Sequence, residues 1–267
     1  PFRLPRSILD HEVNLILNHG IELRLNTPLG ESGVTIDSLF KDGYHSILLA
    51  LGTTKGRDLG ITGEHLPGVV NCLDYLREAN LYDQVETGRR VAVVGGGNAA
   101  VDAARTALRH GAKNVMILYR RTREEMPAIG AEIEAAKHEG VDIRFLVNPA
   151  EMHAGLTGRL ARVTCQKMRL GDPDEGGRRR PIPIEGEFID FEVDQVILAI
   201  SQLPDLDFLV KDRDFDLTKW ATLKADPYTG ETGKAGVFAC GDAVTGPSTV
   251  VEAMASGRQA ATAVDLY

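Results

Sequence analysis

Residues 91–109, VAVVGGGNAAVDAARTALR, constrain the fold more than any other stretch of this 267-residue chain. An apolar run ends in three glycines, and a helix-periodic segment begins directly after them. The pattern Gly95-x-Gly97-x-x-Ala100 falls where a strand must turn sharply into a helix. A strand over 90–94, a helix over 98–109 stopped by Gly111 and a second strand over 114–119 make up a βαβ unit. That context turns a glycine pattern, weak alone, into a dinucleotide-binding signature. Gly95 permits the tight turn, Gly97 lets the backbone approach a pyrophosphate, and Ala100 keeps the helix close to the sheet. Asn98 and Ala99 start the helix, whose N-terminus offers N–H groups and partial positive charge to phosphates. A turn that merely joins two elements would not need all three flanking elements in place.

The end of the second strand bears on the nucleotide. An NAD site carries Asp or Glu about 20 residues beyond the glycines, to accept from the ribose hydroxyls. This chain has Tyr119-Arg120-Arg121-Thr122-Arg123 there. A guanidinium pairs with a 2′-phosphate by charge-assisted, bidentate bonds. The residues therefore favour NADP over NAD, with Arg120 and Arg121 as candidate contacts and no choice made between them. The competing reading is solvated charge at a helix start.

Outside this unit, helices are expected over 6–18 (Ile8, Leu9, Val13, Ile16 and Leu17 on one face), 72–81, 123–138 and 249–266. Strands are expected over 21–26, 44–51, 141–147, 193–200 and 236–239. The near-continuous apolar run at 44–51 predicts cover on both faces. Residues 151–191 change to strands joined by Gly-rich turns, an antiparallel meander. Alternating helices and buried strands indicate an α/β fold with a doubly wound, Rossmann-like parallel sheet. Arg178-Arg179-Arg180 lie in a charged, Gly-rich loop and read as a solvated hairpin tip.

Composition removes several functions. The net charge of −8 leaves no broad basic surface for nucleic acid. No apolar run nears the roughly 20 residues that span a bilayer, and no signal peptide is expected. Cys72, Cys165 and Cys240 form no CxxC pair, which argues against zinc, a disulfide framework and a dithiol redox site. The seven histidines, His11, His19, His45, His65, His110, His138 and His153, have no metal-ligand spacing. A cytoplasmic protein without a metal site is expected.

A second nucleotide signature closes the chain. Gly241-Asp242 ends a short strand, and Thr249-x-x-Glu252 has the spacing of a capping box at the next helix start. An Asp at a strand end can accept from a polyol while a helix dipole faces an electron-rich ring. On physics alone the segment fits a flavin site and a plain strand–loop–helix equally.

These segments together resemble the small subunit of glutamate synthase and its relatives, NADPH-dependent flavoproteins with two dinucleotide-binding domains. The matching stretches are Phe2-Arg3-Leu4-Pro5, Leu49-Ala50-Leu51-Gly52-Thr53, Val94-Gly95-Gly96-Gly97-Asn98, Tyr119 through Ala128, and the Gly241-Asp242 segment. The resemblance implies an NADP-binding domain over 68–203, inserted into a partial FAD-binding Rossmann-like domain over 1–67 and 204–267. It implies that Gly241 and Asp242 contact the FAD pyrophosphate–ribitol region, with Thr249 and Val250 near the flavin pyrimidine edge. Gly52 and Thr53, like the similar Leu198 to Gln202, would lie at the crossings between domains. The implied chemistry is hydride transfer from NADPH to FAD, which needs no catalytic side chain. Electrons would then pass to an iron–sulfur centre and a larger catalytic or electron-acceptor subunit.

The chain also departs from that family's pattern. It has neither the N-terminal cysteine clusters for iron–sulfur centres nor the FAD-binding GxGxxG, and Ser201 stands where glycine is usual. Since the sequence starts at Pro1 rather than Met, it is expected to be a C-terminal fragment that binds NADP and has an incomplete FAD site. A non-catalytic NADP-binding or scaffolding module is the competing function.

Overall fold

The computed structural model describes residues 2–30, 34–174, 176–209 and 214–267; Pro1, where the sequence starts, lies outside them. The chain divides into two compact units, Lys55–Gln202 and a discontinuous one made of Pro1–Thr54 with Leu203–Tyr267.

The discontinuous unit starts with helices α1 (Arg6–Leu17) and α2 (Ile36–Lys41) and strand β1 (Ile47–Leu49). Thr35 caps α2 through a reciprocal pair of bonds with Ser38, which satisfies two end donors at once. Helix α1 forms as expected but buries none of its residues, and Ile8, Leu9, Val13 and Ile16 all stay at least 42% exposed. Residues 21–26 form no strand. Ile21, Leu23 and Leu25 are exposed and no described strand pairs with them; an unpaired strand has nothing to satisfy its backbone. The run at 44–51 contracts to β1, which buries Leu49 and leaves Leu48 exposed, so only one face is fully covered.

The continuous unit contains the remaining strands except the last: β2 (Lys55–Gly56), β3 (Val69–Asn71), β4 (Arg90–Val94), β5 (Asn114–Tyr119), β6 (Asp142–Phe145), β7 (Val147–Ala154), β8 (Leu160–Pro173), β9 (Arg179–Glu192) and β10 (Gln195–Leu198). Between them lie helices α3 (Cys72–Tyr82), α4 (Asn98–Arg109) and α5 (Gly130–His138), and β11 (Gln202–Leu203) follows at the boundary. Strands β3, β10, β4, β5 and β6, in that order, form a wholly parallel sheet. Successive strand side chains point to opposite faces. Val91 and Val93 therefore meet the alanine face of α4, along with Ile133 of α5 and Tyr75 of α3. Ala92 and Val94 meet Val147, Met152, Val163 and Cys165 of the antiparallel meander β7–β8–β9, which covers the second face.

Residues 55–67 pack in this unit rather than with the first segment. Leu59, Ile61 and Leu66 lie against the meander-side core, and Met152 N–H donates to the Thr62 carbonyl at 2.9 Å. The chain then returns through β12 (Val237–Ala239), α6 (Asp242–Thr245) and α7 (Val250–Leu266). Strand β12 pairs in parallel with β1 over a core of Ile36, Leu206, Phe215 and Leu223. No helix among the described residues is long and apolar enough to cross a membrane.

Helices α4 and α5 are tied by an ion network. Arg105, 11% exposed at its side chain, bonds Glu132 and, at 2.8 Å, Glu139, which also takes Arg109 at 2.6 Å. The Arg109 hydrogen bond, reinforced by Arg105, holds the Glu139 carboxyl at about 2, below its ordinary 4.5. A depressed folded-state pKa gives stability that is fully present above 4.5 and is lost as pH falls through about 2. Screening by solvent leaves this contribution on the order of 1 kcal/mol. Glu139→Gln is accordingly expected to unfold more easily than the wild type at pH 7, with the gap closing between pH 4.5 and 2. Urea titrations across that range check it; a gap independent of pH would contradict the assignment.

Candidate functional site

The three glycines after β4 meet three different demands. The β4–β5 hydrogen bonding runs on through Gly95, whose N–H donates to Leu118 O at 3.1 Å. Gly95 has φ +141°, and a Cβ there would lie 2.2 Å from the Ala199 carbonyl oxygen. At Gly96 a Cβ would meet the Tyr119 ring at 2.4 Å, so that ring lies closely over the loop. Gly97 is extended (φ −87°, ψ 177°), and a Cβ there would meet nothing within 4 Å. Gly97 thus borders open space at the N-terminus of α4. That terminus has no side-chain cap and no acidic residue in its first turn, so its dipole faces the opening uncompensated. Ala100 is fully buried, as a helix held close to its sheet requires.

The segment after β5 meets the glycine loop in a form the sequence did not suggest. A helix is expected over 123–138, but α5 begins only at Gly130. Residues 122–129 are instead tied to the glycine loop. Ala128 N–H donates to Gly96 O at 3.1 Å, and Ile129 N–H to Asn98 Oδ1 at 2.9 Å. Tyr119 OH donates to Glu125 O at 2.7 Å, and Thr122 donates through N and Oγ1 to the Glu125 carboxylate, which holds its pKa low. These bonds use backbone groups that a helix would have needed, and Pro127 cannot donate.

The arginines separate by environment. Arg121 is 7% exposed; its Nε donates to Arg179 O at 2.8 Å and a terminal nitrogen pairs with Asp174 at 3.2 Å. It therefore docks the tip of the β8–β9 hairpin on the end of β5, and the Arg178–Arg180 loop is more than a solvated tip. Arg120 is exposed overall. Partial desolvation, then the neighbouring Arg121 charge, lowers its pKa, but a guanidinium remains charged. The Arg123 guanidinium lies 3.4 Å from where a Cβ on Gly130 would sit, at the start of α5. Asp174 was missed in the sequence because it stands 53 residues from its partner, with no local spacing to mark the pair.

In the discontinuous unit, Gly52 has φ +63° and Thr53 is buried. Gly241 (φ +65°) opens α6, and its N–H takes the Ser256 hydroxyl of α7 as acceptor at 3.0 Å. Cys240 N–H donates to Leu49 O at 3.0 Å, fixing the end of β12 on β1. Asp242 is half-buried at the start of α6. Thr249 and Glu252 form the expected capping box at α7, and Val250 is 73% exposed beside it. The structure thus brings Gly241 to the flank of the helix that Thr249 starts.

Burial pushes the Cys72 and Cys165 thiols up to about 12 and raises Cys240, so no cysteine of this chain is poised as a thiolate. Among the described residues no His, Cys, Asp and Glu group could hold a metal ion.

Comparison with known proteins places this geometry. Residues 8–257 match the family described as pyridine nucleotide-disulphide oxidoreductase. The chain belongs to that family. It is 43% identical over its whole length to the NADP(+)-dependent formate dehydrogenase subunit beta of Moorella thermoacetica, spanning 37% of that protein. It is 38% identical over 98% of its length to the putative glutamate synthase [NADPH] small chain of Cereibacter sphaeroides, spanning 65% of it. Among solved structures, Mycobacterium tuberculosis FprA in complex with NADPH shares the fold (TM-score 0.72, 19% identity, 90% of this chain and 66% of that one). The glutamate synthase resemblance and the α/β Rossmann architecture both stand. All three cysteines are free and buried.

Proposed function

We propose that this chain is the NADPH-binding part of an electron-input reductase of the glutamate synthase small-subunit type, in which hydride passes from NADPH to FAD. The observation that carries the reading is the opening at Gly97. It borders an uncapped helix N-terminus, Ala128 and Ile129 are bonded to Gly96 and Asn98 beside it, and Arg120 and Arg121 follow the neighbouring strand β5. That surface fits a dinucleotide: backbone N–H groups and a helix dipole for the pyrophosphate, and a guanidinium for the 2′-phosphate.

In this reading Gly95, Gly97, Asn98, Ala99 and Ala100 form the NADP site: Gly97, Asn98 and Ala99 hold the pyrophosphate, Gly95 makes the turn and Ala100 seats the helix. The two crossings of the chain, at Gly52-Thr53 and at 198–202, connect the NADP-binding unit to the flavin-binding one. Gly241 and Asp242 hold the ribitol side of FAD, and Thr249 and Val250 the pyrimidine edge. When bound, the cofactors supply the redox chemistry themselves, nicotinamide C4 as hydride donor and flavin N5 as acceptor. The protein's part is to bind and orient them, because aligned reactants convert a bimolecular step into a unimolecular one. No side chain need act as acid, base or nucleophile. The relatives named as a beta subunit and a small chain support a partner subunit; in this reading that partner is larger and cytoplasmic, and the electrons reach it through an iron–sulfur centre.

The sequence contains one strand–GxGxxA–helix motif where two cofactors require two, and this favours a second reading, a nucleotide-binding module without its own turnover. Steady-state reduction of a dye acceptor by NADPH, with and without added FAD, separates the two. Dye reduction that depends on FAD supports the reductase. NADPH binding without reduction supports the module, and absence of NADPH binding overturns both.

A further inference from the structure

We propose that Arg178, on the tip of the β8–β9 hairpin, joins Arg120 in holding the 2′-phosphate of NADPH, so that the hairpin determines nucleotide specificity. The inference rests on the NADP reading above.

The tip is built around the backbone of Arg178. Asp174 Oδ1 accepts from the N–H groups of Gly176 and Arg178, both at 3.0 Å, and Asp174 N–H donates to Arg178 O at 2.7 Å. Arg178 thus starts from a closed turn rather than a loose loop. The turn is in its turn held on the end of β5, through Arg121 to Asp174 and to the Arg179 carbonyl. One aspartate therefore shapes the tip and anchors it beside the strand end where a 2′-phosphate is expected.

Charge gives the second line of argument. The dock gathers Arg120, Arg121, Arg178 and Arg179 from two elements far apart in sequence. Asp174 pairs with Arg121 and also lies in the field of Arg178, and the field of Arg179 reaches Glu125. Arg120 and Arg178 are both exposed, and neither forms an ion pair among the described residues. Burial first, then the Arg121 charge and least of all the Arg178 charge disfavour the charged form of Arg120. Like charges held together raise the energy of the empty site, and a dianionic phosphate group relieves that repulsion. Two guanidiniums match its oxygens better than one.

The test measures dissociation constants of the full chain for NADPH, NADH and 2′,5′-ADP, in wild type, Arg178→Ala and Arg180→Ala. Arg180 is the exposed neighbour that enters none of these contacts and serves as the control. Arg178→Ala is expected to weaken NADPH and 2′,5′-ADP about tenfold and leave NADH unchanged, as loss of one charge-assisted pair predicts. The difference should shrink at high salt, and Arg180→Ala should match wild type. If wild type prefers NADPH and Arg178→Ala keeps that preference, the hairpin assignment is wrong and the NADP reading survives. Equal weakening of NADPH and NADH would likewise overturn it. A wild type that binds NADPH no better than NADH removes the NADP reading, and this inference with it.

Discussion

Replacing Gly95 with alanine is expected to lower the stability of the continuous unit by about 3 kcal/mol or more. Two costs add. The φ of +141° belongs to a region that residues with a Cβ enter at about 1–3 kcal/mol. The new methyl would also lie 2.2 Å from the Ala199 carbonyl oxygen. That carbonyl cannot withdraw cheaply, because Ala199 N–H is bonded to Val94 O at 2.8 Å and continues the β4–β10 ladder. Against a total stability of roughly 5–15 kcal/mol, the urea midpoint should fall markedly. NADPH binding should disappear with it, since the turn that aims α4 is distorted. An unchanged midpoint would mean that the close approach to Ala199 is absent in solution.

Gly97→Ala is expected to do the opposite: keep the fold and lose the ligand. The backbone there is extended, where any residue is comfortable, and the added Cβ meets nothing. Stability should hold or rise by about 0.4–1 kcal/mol, because alanine has less freedom to lose on folding. The space that the methyl enters is the space assigned to the pyrophosphate, so NADPH affinity should drop at least about tenfold, or 1.4 kcal/mol. Isothermal titration and a melting curve on one preparation check both halves. Full affinity in this variant would move the nucleotide away from Gly97.

The two substitutions also show what the sequence could convey. Strands β4 and β5 and helix α4 have the bounds expected of them, because short-range patterns set them: an apolar run, three glycines, an alanine stripe, a closing Gly111. The meander was legible from its Gly-rich turns. Residues 123–129 were not, because their helical spacing loses to bonds made with Gly96 and Asn98, which are distant in sequence. The segment at 21–26 alternates like a strand, but a strand exists only with a neighbour, and alternation cannot supply one. Arg120 and Arg121 were visible as a pair. Their division into an exposed guanidinium and a buried tether depends on Asp174, which only the fold brings near.

The position of β10 has a consequence for how the molecule comes together. This strand sits between β3 and β4, yet the meander separates it from both in sequence. Gln195, buried within it, closes the connection by bonding Gly88 N–H and Glu86 O, more than 100 residues upstream. Contacts of such span form late, because loop closure costs entropy before any pairing repays it. Helix α4 and the β8–β9 hairpin are local and can form earlier. Ala199, against which Gly95 packs, arrives only with β10. The glycine loop therefore reaches its final shape only once β10 has joined the sheet, so the nucleotide binding proposed for it would belong to a chain whose sheet is complete.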